Sequence, residues 1–191
     1  MRKPDIDKWN GAKLREKLDK GEAVLWEGVA EPFRLTEGKR REGTLRRWCV
    51  AGAVFLVLTA AYVLAVMNSP TSFNWVVEVI LLAVCGFAAL QPALDASKLC
   101  GKVSFYLTDR RAAVVCDGRE AFTLDKSAGA EFVDEGDGCV TVLWGSAAGV
   151  KPGRRVVESI SPRKDSADGS ANTGLVFYHV RDSEALREAC R

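Results

Sequence analysis

The stretch WCVAGAVFLVLTAAYVLAVM, residues 48–67, decides the fold, because its twenty residues carry no charge. As an α-helix it spans about 30 Å, the thickness of a bilayer's hydrocarbon core. Asn68, Ser69, Pro70, Thr71 and Ser72 follow, a run of turn formers too short for anything but a reversal. Residues 73–94 are then read as apolar again apart from Asn74, Glu78 and Gln91. Two buried helices of a soluble bundle would each need a polar stripe, and 48–67 has none. The reading is a two-helix transmembrane hairpin.

Lys39, Arg40, Arg41, Arg46 and Arg47 precede this hairpin, Lys98 and Lys102 follow it, and its turn has no Lys or Arg. By the positive-inside rule both termini are expected in the cytoplasm, with two spans through the inner (plasma) membrane. Trp48 and Trp75 then fall at opposite interfaces. The first apolar run lies behind a polar segment of ordinary composition, so no secretory signal peptide is expected and both helices are read as permanent anchors.

Ahead of the hairpin, residues 7–18 read as a short helix with Trp9, Leu14 and Leu18 on an irregular apolar side, lying either on the membrane surface or on the cytoplasmic domain. Residues 23–28 read as a strand closed by glycine. Behind the hairpin the period becomes two: Val103, Phe105 and Leu107 alternate with Ser104, Tyr106 and Thr108. Asp109, Arg110 and Arg111 then turn the chain into a second strand, 112–116. Further strands are predicted over 120–124, 130–134, 140–144 and 174–180, with a turn at 135–138. A final helix, capped by Asp182 or Ser183, runs through Cys190. The Gly-, Ser-, Asp- and Pro-rich stretch 145–173 reads as a long loop.

The predicted organisation is an N-terminal helix over 1–20, a first strand and basic juxtamembrane segment over 21–47, the hairpin over 48–94 (helices 48–67 and 73–94), and a β-domain over 95–191. The fold class is α+β: a membrane hairpin inserted into a small antiparallel barrel or sandwich capped by a C-terminal helix. On this reading the strand at 23–27 joins the strands behind the hairpin, and Trp26 is a structural anchor in their core.

Composition narrows the function. A net charge of +2 over 191 residues gives no concentrated basic face, which argues against nucleic acid. Six cysteines without a C-x-x-C pair argue against zinc or a disulfide framework and fit a reducing compartment. His179 has no second His and no Cys, Asp or Glu at ligand spacing, so it reads as a satisfied residue of the sheet. Gly136, Asp137 and Gly138 lead into a strand rather than a helix and form a turn, not a phosphate loop. Ser127, Ser146 and Ser159 lack the glycines and histidine of a nucleophile elbow. No catalytic, metal or cofactor residues are assigned.

Three positions remain as candidate sites. Glu78, one turn into the second apolar helix, is either an intramembrane polar site or an interfacial carboxylate within reach of headgroup water. Arg110 and Arg111 follow the membrane closely enough to contact anionic headgroups, or else one of them pairs inside the domain to fix the turn.

At this point the chain resembles the bacterial pleckstrin-homology-like membrane proteins. The resemblance is carried by Gly21-Glu22-Ala23-Val24-Leu25-Trp26-Glu27-Gly28 with Pro32 ahead of the hairpin, and Phe105-Tyr106-Leu107-Thr108-Asp109-Arg110-Arg111 behind it. It continues in Gly174-Leu175-Val176-Phe177-Tyr178-His179-Val180-Arg181-Asp182 before the last helix. It implies a pleckstrin-homology-like barrel without enzymatic activity, in a family of mostly uncharacterised membrane or assembly factors; the stretch 145–173 departs from that compact pattern. It further implies that the hairpin occupies the place of the basic loop with which lipid-binding pleckstrin-homology domains grip phosphoinositides. The expected function is a non-catalytic, membrane-anchored protein-interaction module, with an anionic-lipid sensor as the alternative. The expected partners are the bilayer and another protein, and a homo-oligomer is compatible with this reading.

Overall fold

A computed structural model describes residues 4–36, 40–69, 72–136, 138–164 and 172–191. Lys39, Pro70, Thr71, Asp137 and the 165–171 part of the expected loop lie outside these residues. The chain divides into two units, Met1–Arg34 with Asp95–Arg191, and Leu35–Leu94.

The second unit is built from two helices, α2 (Arg40–Met67) and α3 (Trp75–Lys102), each long and apolar enough to cross a membrane. α2 begins eight residues before Trp48, and α3 runs past Leu94 through Pro92 and into the first unit, where Leu99 is wholly buried. Hydrogen bonds join the two helical segments. Trp48 Nε1 donates to the Ala89 carbonyl at 3.0 Å, and the Tyr62 hydroxyl bridges the backbone of Asn74, accepting from its N–H at 2.8 Å and donating to its carbonyl at 3.2 Å.

In the first unit, α1 (Pro4–Arg15) and β1 (Val24–Val29) precede the helices. Behind them come β2 (Val103–Thr108), β3 (Arg111–Cys116), β4 (Glu120–Asp125), β5 (Ala130–Gly136) and β6 (Cys139–Gly145). Short α4 (Arg155–Ile160), β7 (Arg163–Lys164), β8 (Asn172–Arg181) and α5 (Glu184–Ala189) complete it. These strands make two four-stranded antiparallel sheets, ordered β1-β2-β3-β4 and β5-β6-β8-β7, which do not close into a barrel. The expected loop over 145–173 is a correction: 3-10 turns at Ser146–Gly149 and Pro152–Arg154, then α4 and β7, fill its described part. Glu158, Ser159 and Ile160 of α4 are buried, so this polar stretch is ordered by tertiary contacts that composition does not report.

The alternation in β2 and β3 decides where each side chain goes. Val103, Phe105, Leu107, Ala112 and Val114 enter one large core with Val142, Trp144, Leu175 and Phe177 of the second sheet. Phe177 is its centre, stacked on Phe105 at 5.0 Å and on Trp26 at 6.1 Å. Tyr106, Ala113 and Val115 face the other way into a small second core completed by Leu14 of α1.

α1 therefore packs on the sheet, and the residues that do so are Ile6, Asn10 and Leu14, whereas Trp9 is 58% exposed. Expecting Trp9 on the packed side was wrong because the spacing i, i+4, i+8 is satisfied by a polar residue at its centre. Asn10 is fully buried and donates to the Lys102 carbonyl at 3.1 Å and to Ser104 Oγ at 2.7 Å. Its Oδ1 accepts from the Gly118 N–H at 2.6 Å. Gly118 has φ +63° and lies so close to Trp9 that a Cβ would stand 2.8 Å from the Trp9 Cβ, so the turn after β3 needs glycine there.

Candidate functional site

The turn between β2 and β3 is built around Thr108, whose buried hydroxyl accepts from the N–H groups of Arg110 at 3.2 Å and Arg111 at 2.9 Å. That hydroxyl donates to Glu22 Oε1 at 2.6 Å. Glu22, just ahead of the strand expected over 23–28, is a residue to which the sequence assigned no role. Its side chain is wholly covered, and Arg111 grips it from Nε and Nη2 while also reaching Asp19 Oδ2 at 2.6 Å. Burial opposes the Glu22 charge, but the Arg111 and Thr108 hydrogen bonds, the Asp19 N–H and the Arg111 charge outweigh it and hold the carboxyl at about 2.

Of the two arginines read as headgroup contacts, Arg111 therefore pairs inside the domain and fixes the turn. Arg110 stays 56% exposed, 4.0 Å from Asp19 and 3.9 Å from Asp109. Ala23 and Asp109 exchange hydrogen bonds beside them, Asp109 N–H to the Ala23 carbonyl at 3.1 Å and Ala23 N–H to Asp109 Oδ1 at 3.2 Å.

Trp26 sits in β1 opposite Leu107, past a bulge between Val24 and Trp26, and is half-buried against the main core. Its indole lies across Gly28, so closely that a Cβ at Gly28 would collide with the ring. β1 is an end strand of its sheet, with Val24 and Leu25 exposed.

Glu78 lies in α3, in the unit of the two long helices, where its Oε2 accepts from Thr59 Oγ1 of α2 at 3.1 Å. The pair ties the helices together.

His179 occupies a bulge of β8 opposite Thr141 and has φ +52°. Its Nδ1 lies 3.0 Å from the Glu31 carbonyl, and the Glu31 N–H donates to the His179 carbonyl at 2.8 Å. A carbonyl only accepts, so Nδ1 carries the proton. The residue that locks the segment after β1 onto the second sheet is thus a histidine in a conformation no local sequence pattern announces. Among the described residues no group of three or more His, Cys, Asp or Glu is placed to hold a metal ion.

Compared with protein-family models, curated proteins and solved structures, the chain matches none.

Proposed function

We propose that this chain is an integral membrane protein of the bacterial inner membrane. Its two long helices cross the bilayer as a hairpin, and its β-rich unit is a non-catalytic, pleckstrin-homology-like protein-interaction module on the cytoplasmic side. One observation carries the reading: the apolar surface of α2 and α3 faces outward all round. Leu56, Val57, Leu64, Val79, Leu82 and Phe87 are each more than half exposed, and no residue of either helix's apolar window is buried. At about 25 cal/mol per Å² such surface is costly in water and stable in lipid.

The orientation follows from the seven Lys and Arg that flank the hairpin and the absence of any in its turn. Supporting a pleckstrin-homology-like module are the succession of two antiparallel sheets with one shared core and the packing of Leu186 and Ala189 of α5 into that core. Protein is favoured over headgroups as the partner of this unit because Arg111 is committed to Glu22 and Asp19. The exposed end strand β1 offers backbone groups to an extended segment of another protein.

Cysteines introduced singly at Ser72 and Ser161, both exposed, test the topology in intact cells with an impermeant thiol reagent. Cys116 and Cys139 are buried and burial pushes the Cys190 thiol up to about 11, whereas Cys49 is exposed and Cys85 and Cys100 are half-buried, so these last three are replaced by Ser in both variants to keep the background low. Ser72→Cys is expected to label and Ser161→Cys to stay dark. Labelling of both refutes the hairpin.

A further inference from the structure

The Glu31 carbonyl is a meeting point within the β-rich unit. His179 Nδ1 of β8 donates to it at 3.0 Å, and Cys100 Sγ, near the end of α3, lies 3.9 Å from it. The Glu31 N–H returns to the His179 carbonyl at 2.8 Å, and the Phe33 ring meets Tyr178 and His179 edge-on at 5.4 and 5.3 Å. β7 pairs with β8 at Gly174 and Asn172. Further along β8, at Tyr178 and His179, residues 31–33 lie against the strand as a strap. The strap is also the way into the long helices, since α2 begins at Arg40, while α3 brings Cys100 back to the same carbonyl.

His179 holds its end of the contact under strain. It sits at a bulge with φ +52°, its N–H turned to Thr141 Oγ1 at 3.3 Å and its ring aimed at the strap. A residue other than glycine keeps a left-handed conformation inside a strand only where its surroundings over-determine it, and bulges re-aim side chains next to working sites. The strap is lightly committed in turn. Pro32, exposed and without an N–H, adds no donor to the pairing that Glu31 begins.

We infer that this contact is a reversible, autoinhibitory clasp. Closed, residues 31–33 fasten the entry to α2 against β8 and cover its edge at Tyr178 and His179. Open, His179 relaxes to extended backbone, the edge is uncovered for an added strand, and the strap becomes slack ahead of α2. A short segment secured by a few side chains opens well below the cost of unfolding the sheets. A strand seated on the uncovered edge holds the strap off, so occupancy of the β-rich unit and the slack ahead of α2 are linked. The opening belongs to the chain alone and is measured without a partner, so its failure leaves the protein-interaction reading where it stands.

Hydrogen exchange of the full chain in detergent reads the clasp at the Glu31 amide, with the β6 amides as reference. Glu31 is expected to exchange roughly 100-fold faster than β6 and to respond little to dilute denaturant, because a lifting strap exposes little surface. His179→Gly accepts the left-handed backbone but has no ring, and should speed Glu31 exchange by roughly 5–10-fold, the worth of one hydrogen bond. His179→Asn accepts the same backbone and keeps a side-chain donor, so its rate should fall between the native chain and the glycine variant. Phe33→Ala loosens the strap from its own side and should speed Glu31 exchange as well. The edge is read with a synthetic peptide of residues 29–35 carrying a photoreactive phenylalanine analogue at position 33. Added in excess, it is expected to cross-link to Tyr178 and its β8 neighbours several-fold more in the Phe33→Ala chain than in the native one. Glu31 exchanging at the rate and with the denaturant dependence of β6 would make the contact a static part of the sheet and overturn the clasp. Cross-linking absent from both chains, or equal in both, would overturn it too.

Discussion

Arg111 clasps the carboxylate of Glu22 with two hydrogen bonds, Nε to Oε1 at 2.9 Å and Nη2 to Oε2 at 2.8 Å, across 89 residues of chain that include both long helices. The fork matches the planar carboxylate, and Thr108 supplies a third donor to the same group at 2.6 Å. The segment before the helices and the hairpin behind them are thereby joined at a point away from the main core. The same two segments meet again at the pairing of β1 with β2 and at the exchange between Glu31 and His179.

Acid should loosen this junction in a defined window. Glu22 falls from its ordinary 4.5 to about 2 in the folded chain. A carboxylate depressed in this way contributes its full stabilisation above the unfolded value and loses it as pH drops through the folded one. Denaturant unfolding of the chain in detergent should therefore show a decline between pH 4.5 and pH 2 of roughly 3 kcal/mol from this group. Glu22→Gln should remove that part of the slope; an unaltered slope would show that the carboxylate is not held as described.

Asn10 is the polar pin of α1. Asn10→Ala removes the acceptor of the Gly118 N–H and the donor to the Lys102 carbonyl and should cost about 1–3 kcal/mol. The loss should be local: hydrogen exchange of residues 4–15 should accelerate while β6 and β8 keep their protection. Uniform acceleration across both sheets would count against a pinning role.

Trp26 and Gly28 form a coupled pair. Gly28→Ala forces a methyl group into the indole and should destabilise by roughly 1–3 kcal/mol, and Trp26→Ala alone by about 3 kcal/mol. Once the indole is gone, Gly28→Ala should become almost neutral, so the double variant should match Trp26→Ala. Additive losses in that thermodynamic cycle would mean that the two side chains do not compete for the same space.

The β-rich unit should survive removal of the helices only if β1 stays with it. A chain in which 35–94 is replaced by a flexible linker should melt cooperatively, because β1, Trp26 and Ala30 remain to cover β2 and the main core. A fragment covering 95–191 alone should expose that edge and melt broadly at lower temperature. Equal sharp melts from both would show that β1 is dispensable.

Local periodicity settled a large part of this protein in advance. An uncharged run of twenty residues must be a long apolar helix whatever surrounds it. The period-two pattern of 103–108 places Val103, Phe105 and Leu107 on one face in any sheet that forms. Backbone hydrogen bonding and side-chain alternation are fixed within a few residues, so these elements were legible, as was the return of the chain through β3. Tertiary structure decided everything that joins distant segments. It chose Arg111 over Arg110 for the buried pair, because Glu22 lies beneath only one of them. It folded the polar stretch 145–164 into 3-10 turns, α4 and β7, and it left the two sheets open rather than closed. It also bent β8 at His179, where a left-handed residue meets the backbone of Glu31, 148 positions earlier. Such contacts depend on which surfaces meet after the elements have formed, and a pattern that extends over a few neighbours along the chain carries no record of them.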